Sequence, residues 1–241
     1  MGKHQEHRIL KKPRNITDKD RIEVRGGAII EANEKKFIES TEGKQLADII
    51  FGAIFLLSGL WIIYPFDDFF TSDDFHWTML FLLLYPFIGL LLLIKGVFTP
   101  KKYSNLNFDR LNGIISYPAT FFGKPLEGPF NELKVVFAVS GAIDGYSPQE
   151  YLKVINTFRP KIIDLLKTIS YQNPYVAWSF MVWYMDKNRP LPPCEIFDPY
   201  RKQDFERRKA EGFLRPLYPS NIPTPEATPE QQAEREKIGG W

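Results

Sequence analysis

Four aspartates, Asp67, Asp68, Asp73 and Asp74, fall within eight residues, and His76 follows closely. Carboxylates at that density can hold a calcium ion or share a proton. A calcium loop, however, sets its ligands at alternate positions around a glycine bend. Here the carboxylates come as adjacent pairs with Phe69 and Phe70 between them and no glycine. Adjacent side chains point in different directions, so the pattern does not encode convergence and no metal site is assigned. Covalent catalysis fares no better. A nucleophile needs a positioned base, and the three histidines are His4, His7 and His76. Two lie near the N-terminus and one follows the aspartates, far from the single cysteine, Cys194. There is no Walker loop, G-x-G-x-x-G, H-E-x-x-H or C-x-x-C pattern. No catalytic, metal or cofactor-binding residue is assigned, and the chain reads as a non-enzyme. One cysteine excludes an internal disulfide and suits a reducing compartment.

The acidic stretch owes its place to its flanks. Leu46–Tyr64 reads LADIIFGAIFLLSGLWIIY and Trp77–Ile94 reads WTMLFLLLYPFIGLLLLI. At ~1.5 Å per residue each covers roughly 27–28 Å, close to a hydrocarbon core of about 30 Å. A pair of buried helices in a soluble protein is the competing reading, but helices of that length usually keep a polar face. The expectation is therefore a two-helix transmembrane hairpin over residues 46–97, with helices 46–64 and 77–94 and a periplasmic loop 65–76. Trp61, Tyr64 and Trp77 sit where an aromatic belt would place them. Lys35, Lys36 and Lys44 precede the first apolar run, and Lys95, Lys101, Lys102 and Arg110 follow the second, with no Lys or Arg between. The positive-inside rule then puts both termini in the cytoplasm. A dyad of Cys194 with His76 is barred in that arrangement. The acidic loop becomes the candidate surface for a protein partner, through Asp67, Asp68, Asp73 and Asp74.

Gly52 and Gly59 share a helix face, and Gly89 lies in the second run; small residues let helix backbones approach. They would serve a homodimer as well as the hairpin. Pro86 removes the donor for the Leu82 carbonyl and predicts a kink. With no charge inside either run, a transport pathway has no carrier group.

The remainder reads as a cytoplasmic α+β part. Residues 1–45 mix eleven Lys or Arg with eight Asp or Glu. Ile22–Val24 and Ala28–Glu31, around Gly26 and Gly27, suggest a hairpin joining a later sheet. Neither a signal peptide nor myristoylation is supported, since Glu6 stands where the latter needs Ser or Thr. Residues 98–193 predict a small antiparallel β domain. In YSNLNFDRLNGIISYP, Leu106 and Phe108 face one way and Asn112-Gly113 marks a tight turn. ELKVVFAVSGAI is a β-branched run, and Val154, Ile155 and Thr157 favour a strand. KIIDLLKTIS places Ile162, Leu165, Leu166 and Ile169 at helical spacing. Asn173 and Pro174 open a helix over 174–187, with Trp178, Phe180, Tyr184 and Met185 packing on the sheet. A helix lying on the membrane would carry basic residues along a polar face, and this one has them only at its end. Residues 194–219 form a basic extension: Asp198 and Pro199 start a solvated helix that Gly212 ends. Residues 220–241, rich in proline, read as disordered. The net charge of +2 leaves no nucleic-acid footprint.

Three stretches together, NLNFDRLNGIISYP, VAWSFMVWYMDKNRPLPP and FDPYRKQDFERRKAEGFLRPLYPS, resemble a bacterial family of uncharacterised two-transmembrane proteins. Members carry a cytoplasmic β-rich, pleckstrin-homology-like domain and are associated with type VI secretion effector loci. The resemblance covers roughly residues 45–219. Its most specific part is the pattern of Trp178, Phe180, Tyr184, Met185, Leu191, Pro192 and Pro193, none of which is catalytic. It implies an immunity protein of the inner membrane that neutralises a membrane-acting, pore-forming effector. Its partners would be the lipid bilayer and the cognate toxin. A structural or accessory scaffold of a secretion system is the alternative.

Overall fold

The computed structural model describes residues 8–9, 16, 29–39, 42–63, 78–98, 105–117, 125–140, 149–155, 167–170 and 174–241. They fall into two compact units. One comprises residues 1–39, 107–116 and 127–241; the other comprises 40–106 and 117–126.

In the first unit, β1 (Arg8–Ile9), β2 (Ile29–Ala32) and β3 (Lys36–Glu39) precede the helices of the second unit. The β2–β3 hairpin turns at Asn33, whose side-chain oxygen accepts from the backbone N–H groups of Lys35 and Lys36 at 2.8 and 2.7 Å. The sequence placed a hairpin around Gly26 and Gly27. The described hairpin lies further along, at 29–39, and Ile22–Val24 lies outside the described residues.

After the second unit's α1 (Glu42–Ile63) and α2 (Thr78–Phe98) come β4 (Leu106–Asp109), β5 (Ile114–Tyr117) and β6 (Leu126–Pro129). β4 and β5 pair antiparallel. Asn112 donates to Asp109, and Gly113 takes φ +67°, the left-handed conformation that its lack of a Cβ permits. The strands β2-β3-β4-β5-β6 make a five-stranded sheet. A four-stranded sheet runs β1-β7-β8-β9 through β7 (Lys134–Ser140), β8 (Gln149–Ile155) and β9 (Lys167–Ser170). Two sheets thus stand where one small β domain was expected. The helical reading of KIIDLLKTIS is corrected over Lys167–Ser170, which pairs antiparallel with β8. Backbone partners on the neighbouring strand outweigh a short helical spacing.

Helix α3 (Pro174–Met185) packs on β8 and β9. Its Tyr184 also meets Phe37 of β3 at 5.6 Å between ring centroids, and its Phe180 meets the same ring at 5.5 Å. Burial on opposite sides explains why this helix has no polar stripe. Trp178, Val182, Tyr184 and Met185 are buried, and Trp178 stacks on Phe130. A turn leads to a 3-10 segment (Glu195–Tyr200), helix α4 (Arg201–Ala210) and helix α5 (Pro229–Gly239). Gly212 at φ +75° and Phe213 at φ 47° turn the chain after α4.

Two further expectations are corrected here. The tail is not disordered: α5 is capped by Thr228, whose hydroxyl accepts from Gln231, and Thr224, Glu226 and Arg235 are buried. Nor is α4 a fully solvated helix, because Asp204, Phe205 and Arg208 are buried.

In the second unit, α1 and α2 pack against each other. The described side chains run from Leu46 to Ile62 in α1 and from Leu83 to Phe98 in α2. Among the described residues no helix is long and apolar enough to cross a membrane. The expected two-helix transmembrane hairpin is corrected to a packed helical pair.

Candidate functional site

In the second unit, glycines set the contact between α1 and α2. A Cβ on Gly52 would stand 2.7 Å from the backbone nitrogen of Leu93, and one on Gly59 would stand 2.7 Å from the Pro86 ring. A Cβ on Gly89 would collide with the backbone of Leu56. These three positions and Pro86 are therefore spent on the intramolecular contact, which leaves them no surface for a second copy. α2 continues as helix through Pro86. Phe55 and Tyr85 pack ring to ring at 4.8 Å, Ser58 returns its hydroxyl to the Ile54 carbonyl, and Lys95 pairs with Asp48 at 2.7 Å. Polar groups are thus satisfied within the pair.

What remains outward is apolar. Ile50, Phe51, Ile54, Leu57, Leu60 and Trp61 of α1 are exposed, Trp61 at 78%. So are Leu84, Phe87, Ile88, Leu91, Val97 and Phe98 of α2. At 3.6 residues per turn these positions spread over about half of each helix circumference. An apolar surface of that extent on a folded protein marks a contact site. Asp67, Asp68, Asp73 and Asp74 lie between the helices in sequence, outside the described residues.

The first unit is built around buried charge. Arg110, after β4, is fully buried. Its Nη1 donates to Asp204 of α4 at 2.6 Å, and its Nη2 donates to the carbonyls of Arg189 and Asp186 at 2.5 and 3.3 Å. Its guanidinium lies over the Tyr184 ring, whose hydroxyl donates to the Asn33 carbonyl at 2.9 Å. Asp204 also accepts from Arg208 Nε at 2.9 Å and from Arg207 at 3.0 Å. Arg208 then forks onto both oxygens of Glu226 at 2.7 Å each, and Arg235 reaches Glu226 at 3.1 Å. The result is an alternating chain, Arg110–Asp204–Arg208–Glu226–Arg235. Beside it, Asp186 pairs with Arg189 at 3.1 Å and accepts the backbone N–H groups of Leu217 and Tyr218.

Burial pushes the Asp204 carboxyl up, but Arg110, Arg208 and Arg207 outweigh it and hold the group below the usual carboxylate range. Arg208 loses from burial and gains more from Glu226 and Asp204, so its guanidinium is raised. These charges are locked as structure: each carboxylate is already engaged by arginine.

The α3 residues Trp178, Phe180, Tyr184 and Met185 lie in this unit among aromatic side chains. Phe180 and Tyr184 both stack on Phe197. A cleft of about 680 Å³ opens beside them, with Trp183 and Leu191 on one side and Pro223, Pro225 and Ala227 on the other. Among the described residues no three His, Cys, Asp or Glu side chains group to hold a metal.

The sequence read Arg110 only as a charge flanking the second apolar run and Arg208 as part of a solvated basic cluster, and it assigned no buried role to Asp186, Arg189, Glu226 or Arg235. Arg110 and Asp204 are 94 residues apart, and a buried charge carries no local mark. The available signal was composition: seven charged residues fall in α4, and spacings of three and four pair Asp204 with Arg207 and Arg208 on one face.

No protein-family model, curated protein or solved structure matches the chain.

Proposed function

We propose that the chain is a non-catalytic binding protein of the bacterial inner membrane, which neutralises a membrane-acting, pore-forming type VI secretion effector. The observation that carries this reading is the apolar surface on the outward sides of α1 and α2. Such a surface calls for cover by lipid or by an apolar protein, and both are found where a pore-forming toxin works. The reading asks for contact with the bilayer and does not require either helix to cross it. The resemblance of residues 45–219 to proteins associated with effector loci supports the immunity role. The acidic segment Asp67, Asp68, Asp73 and Asp74 is the surface we assign to the toxin, since four carboxylates without a neighbouring Lys or Arg present a strong field to a basic partner.

The test is protection. Cells that express the toxin gene adjacent to this one should survive with the wild-type chain and die without it. Replacing all four aspartates with asparagine should weaken protection while leaving membrane recovery of the chain unchanged. Full survival without the chain would sink the immunity role, and full protection by the asparagine variant would sink the acidic contact.

A further inference from the structure

Within the first unit, residues 221–228 cross the body with no helix or strand of their own. Thr224 and Glu226 are buried, whereas Pro223, Pro225 and Ala227 are exposed. Alternate side chains in and out is how an extended peptide lies in a receptor groove. The groups that receive it belong to the body and are fixed there by other partners. Arg208 is held through Nε by Asp204, which leaves its two terminal nitrogens to fork onto the Glu226 carboxylate at 2.7 Å. Arg189 is held through Nε by Asp186, which leaves Nη1 for the Thr224 hydroxyl at 2.9 Å and Nη2 for the Tyr218 carbonyl at 2.7 Å. A guanidinium oriented by a carboxylate behind it is a preorganised receptor for another carboxylate.

From this geometry we propose that Arg189 and Arg208 form a recognition seat for an extended acidic peptide, and that the chain's own Thr224-Pro225-Glu226 segment occupies it in cis as an autoinhibitory strap. The body carboxylates Asp186 and Asp204 stay behind when the strap leaves and keep the Nε sides of Arg189 and Arg208 held, while the loss of Glu226 leaves the seat positively charged. Exchange has a route: the cleft of about 680 Å³ runs along the strap, with Pro223, Pro225 and Ala227 as one wall. An incoming peptide gains its first contacts there before it displaces Glu226. The partner recognised is a protein segment that carries a Glu flanked by small or proline residues. This seat belongs to the first unit, and the proposal does not depend on what covers the helical pair.

The probe is a fluorescent synthetic peptide with the strap's own sequence, NIPTPEATPEQQ, and a control with glutamine in place of its first glutamate. The full-length Glu226→Ala chain should bind the first peptide at least tenfold more tightly than the wild-type chain does, because the cis competitor has lost its anchor. It should also prefer that peptide to the glutamine control by at least tenfold. Adding Arg208→Gln should remove the preference. Equal binding by wild type and Glu226→Ala, or equal binding of the two peptides, would overturn the proposal. Should the variant not fold, hydrogen exchange in the wild-type chain decides the matter. The Glu226 amide donates to the Gln232 side chain at 3.1 Å, so millimolar peptide should raise its exchange by displacing the strap. Unchanged exchange there at saturating peptide would overturn the proposal.

Discussion

Replacing Asp204 with alanine should be among the most damaging single changes available in this chain. The side chain is buried, and it is the carboxylate paired with Arg110, whose other hydrogen bonds go to main-chain carbonyls. It also backs Arg208 and Arg207. Alanine leaves a fully buried guanidinium with no counter-charge, and breaking a buried pair from one side costs about 3–5 kcal/mol. Against a total stability of ~5–15 kcal/mol that is a large fraction. With a urea slope of about 2 kcal/mol per molar, the midpoint should fall by roughly 1.5–2.5 M with the slope unchanged. The assay is urea unfolding of the full chain in mild detergent, followed by tryptophan fluorescence, to which buried Trp178 and Trp183 contribute. A second variant separates charge from packing. Arg110→Met with Asp204→Leu removes both charges and fills the space, and such exchanges are often neutral or stabilising. It should recover most of the loss. A fall below about 0.5 M for Asp204→Ala would refute the view that this network holds the body together.

Further outcomes follow from the same contacts. Wild type and Asp204→Asn should differ most at neutral pH. The folded Asp204 carboxyl sits below its ordinary value, so its contribution is complete above the unfolded value of about 3.9 and is lost as pH falls through the lower folded value. Their urea midpoints should therefore begin to converge as pH falls below about 4 and meet only below the folded value. Phe37→Ala removes a buried ring that meets Phe108, Phe180, Tyr184 and Phe197; it should cost about 3–5 kcal/mol in the same assay. A chain ending after Pro219 loses Glu226 from Arg208 and Thr224 from Arg189, and should unfold at lower urea, whereas a disordered tail could be removed without effect. In a Cys194→Ser background, cysteines in place of Asp48 and Lys95 should be bridged by a short bifunctional thiol reagent that restores the reach of the native side chains, which meet at 2.7 Å. Gly89→Leu, which drives a side chain into the α1 backbone, should abolish that cross-link.

The features legible in the sequence are those decided locally. Asn112-Gly113 needs a positive φ that few residues tolerate, and the hairpin β4–β5 forms there. Pro174 opens α3 because a first-turn position needs no N–H donor. The apolar runs gave the existence of α1 and α2, and the glycines their contact. Hydropathy does not say how much of a helix crosses anything, and there the reading overreached. The tail failed for a related reason. Proline and charge in residues 220–241 look like a chain with nothing to bury, yet Glu226 and Arg235 become burial-competent once arginine and carboxylate meet across the fold. Lys167–Ser170 became an edge strand because β8 offered it hydrogen-bond partners that no local window contains. The long-range pairings of the buried network, Arg110 with Asp204 and Arg208 with Glu226, were illegible because they depend on topology.

Protection of the producing cell is the central claim, and viability reads it most directly. In the native host, deleting this gene while keeping the neighbouring toxin gene should make cells lose competition against their parent, with the defect restored by the wild-type chain supplied elsewhere. A deletion strain that competes on equal terms while the toxin is demonstrably secreted would contradict the account.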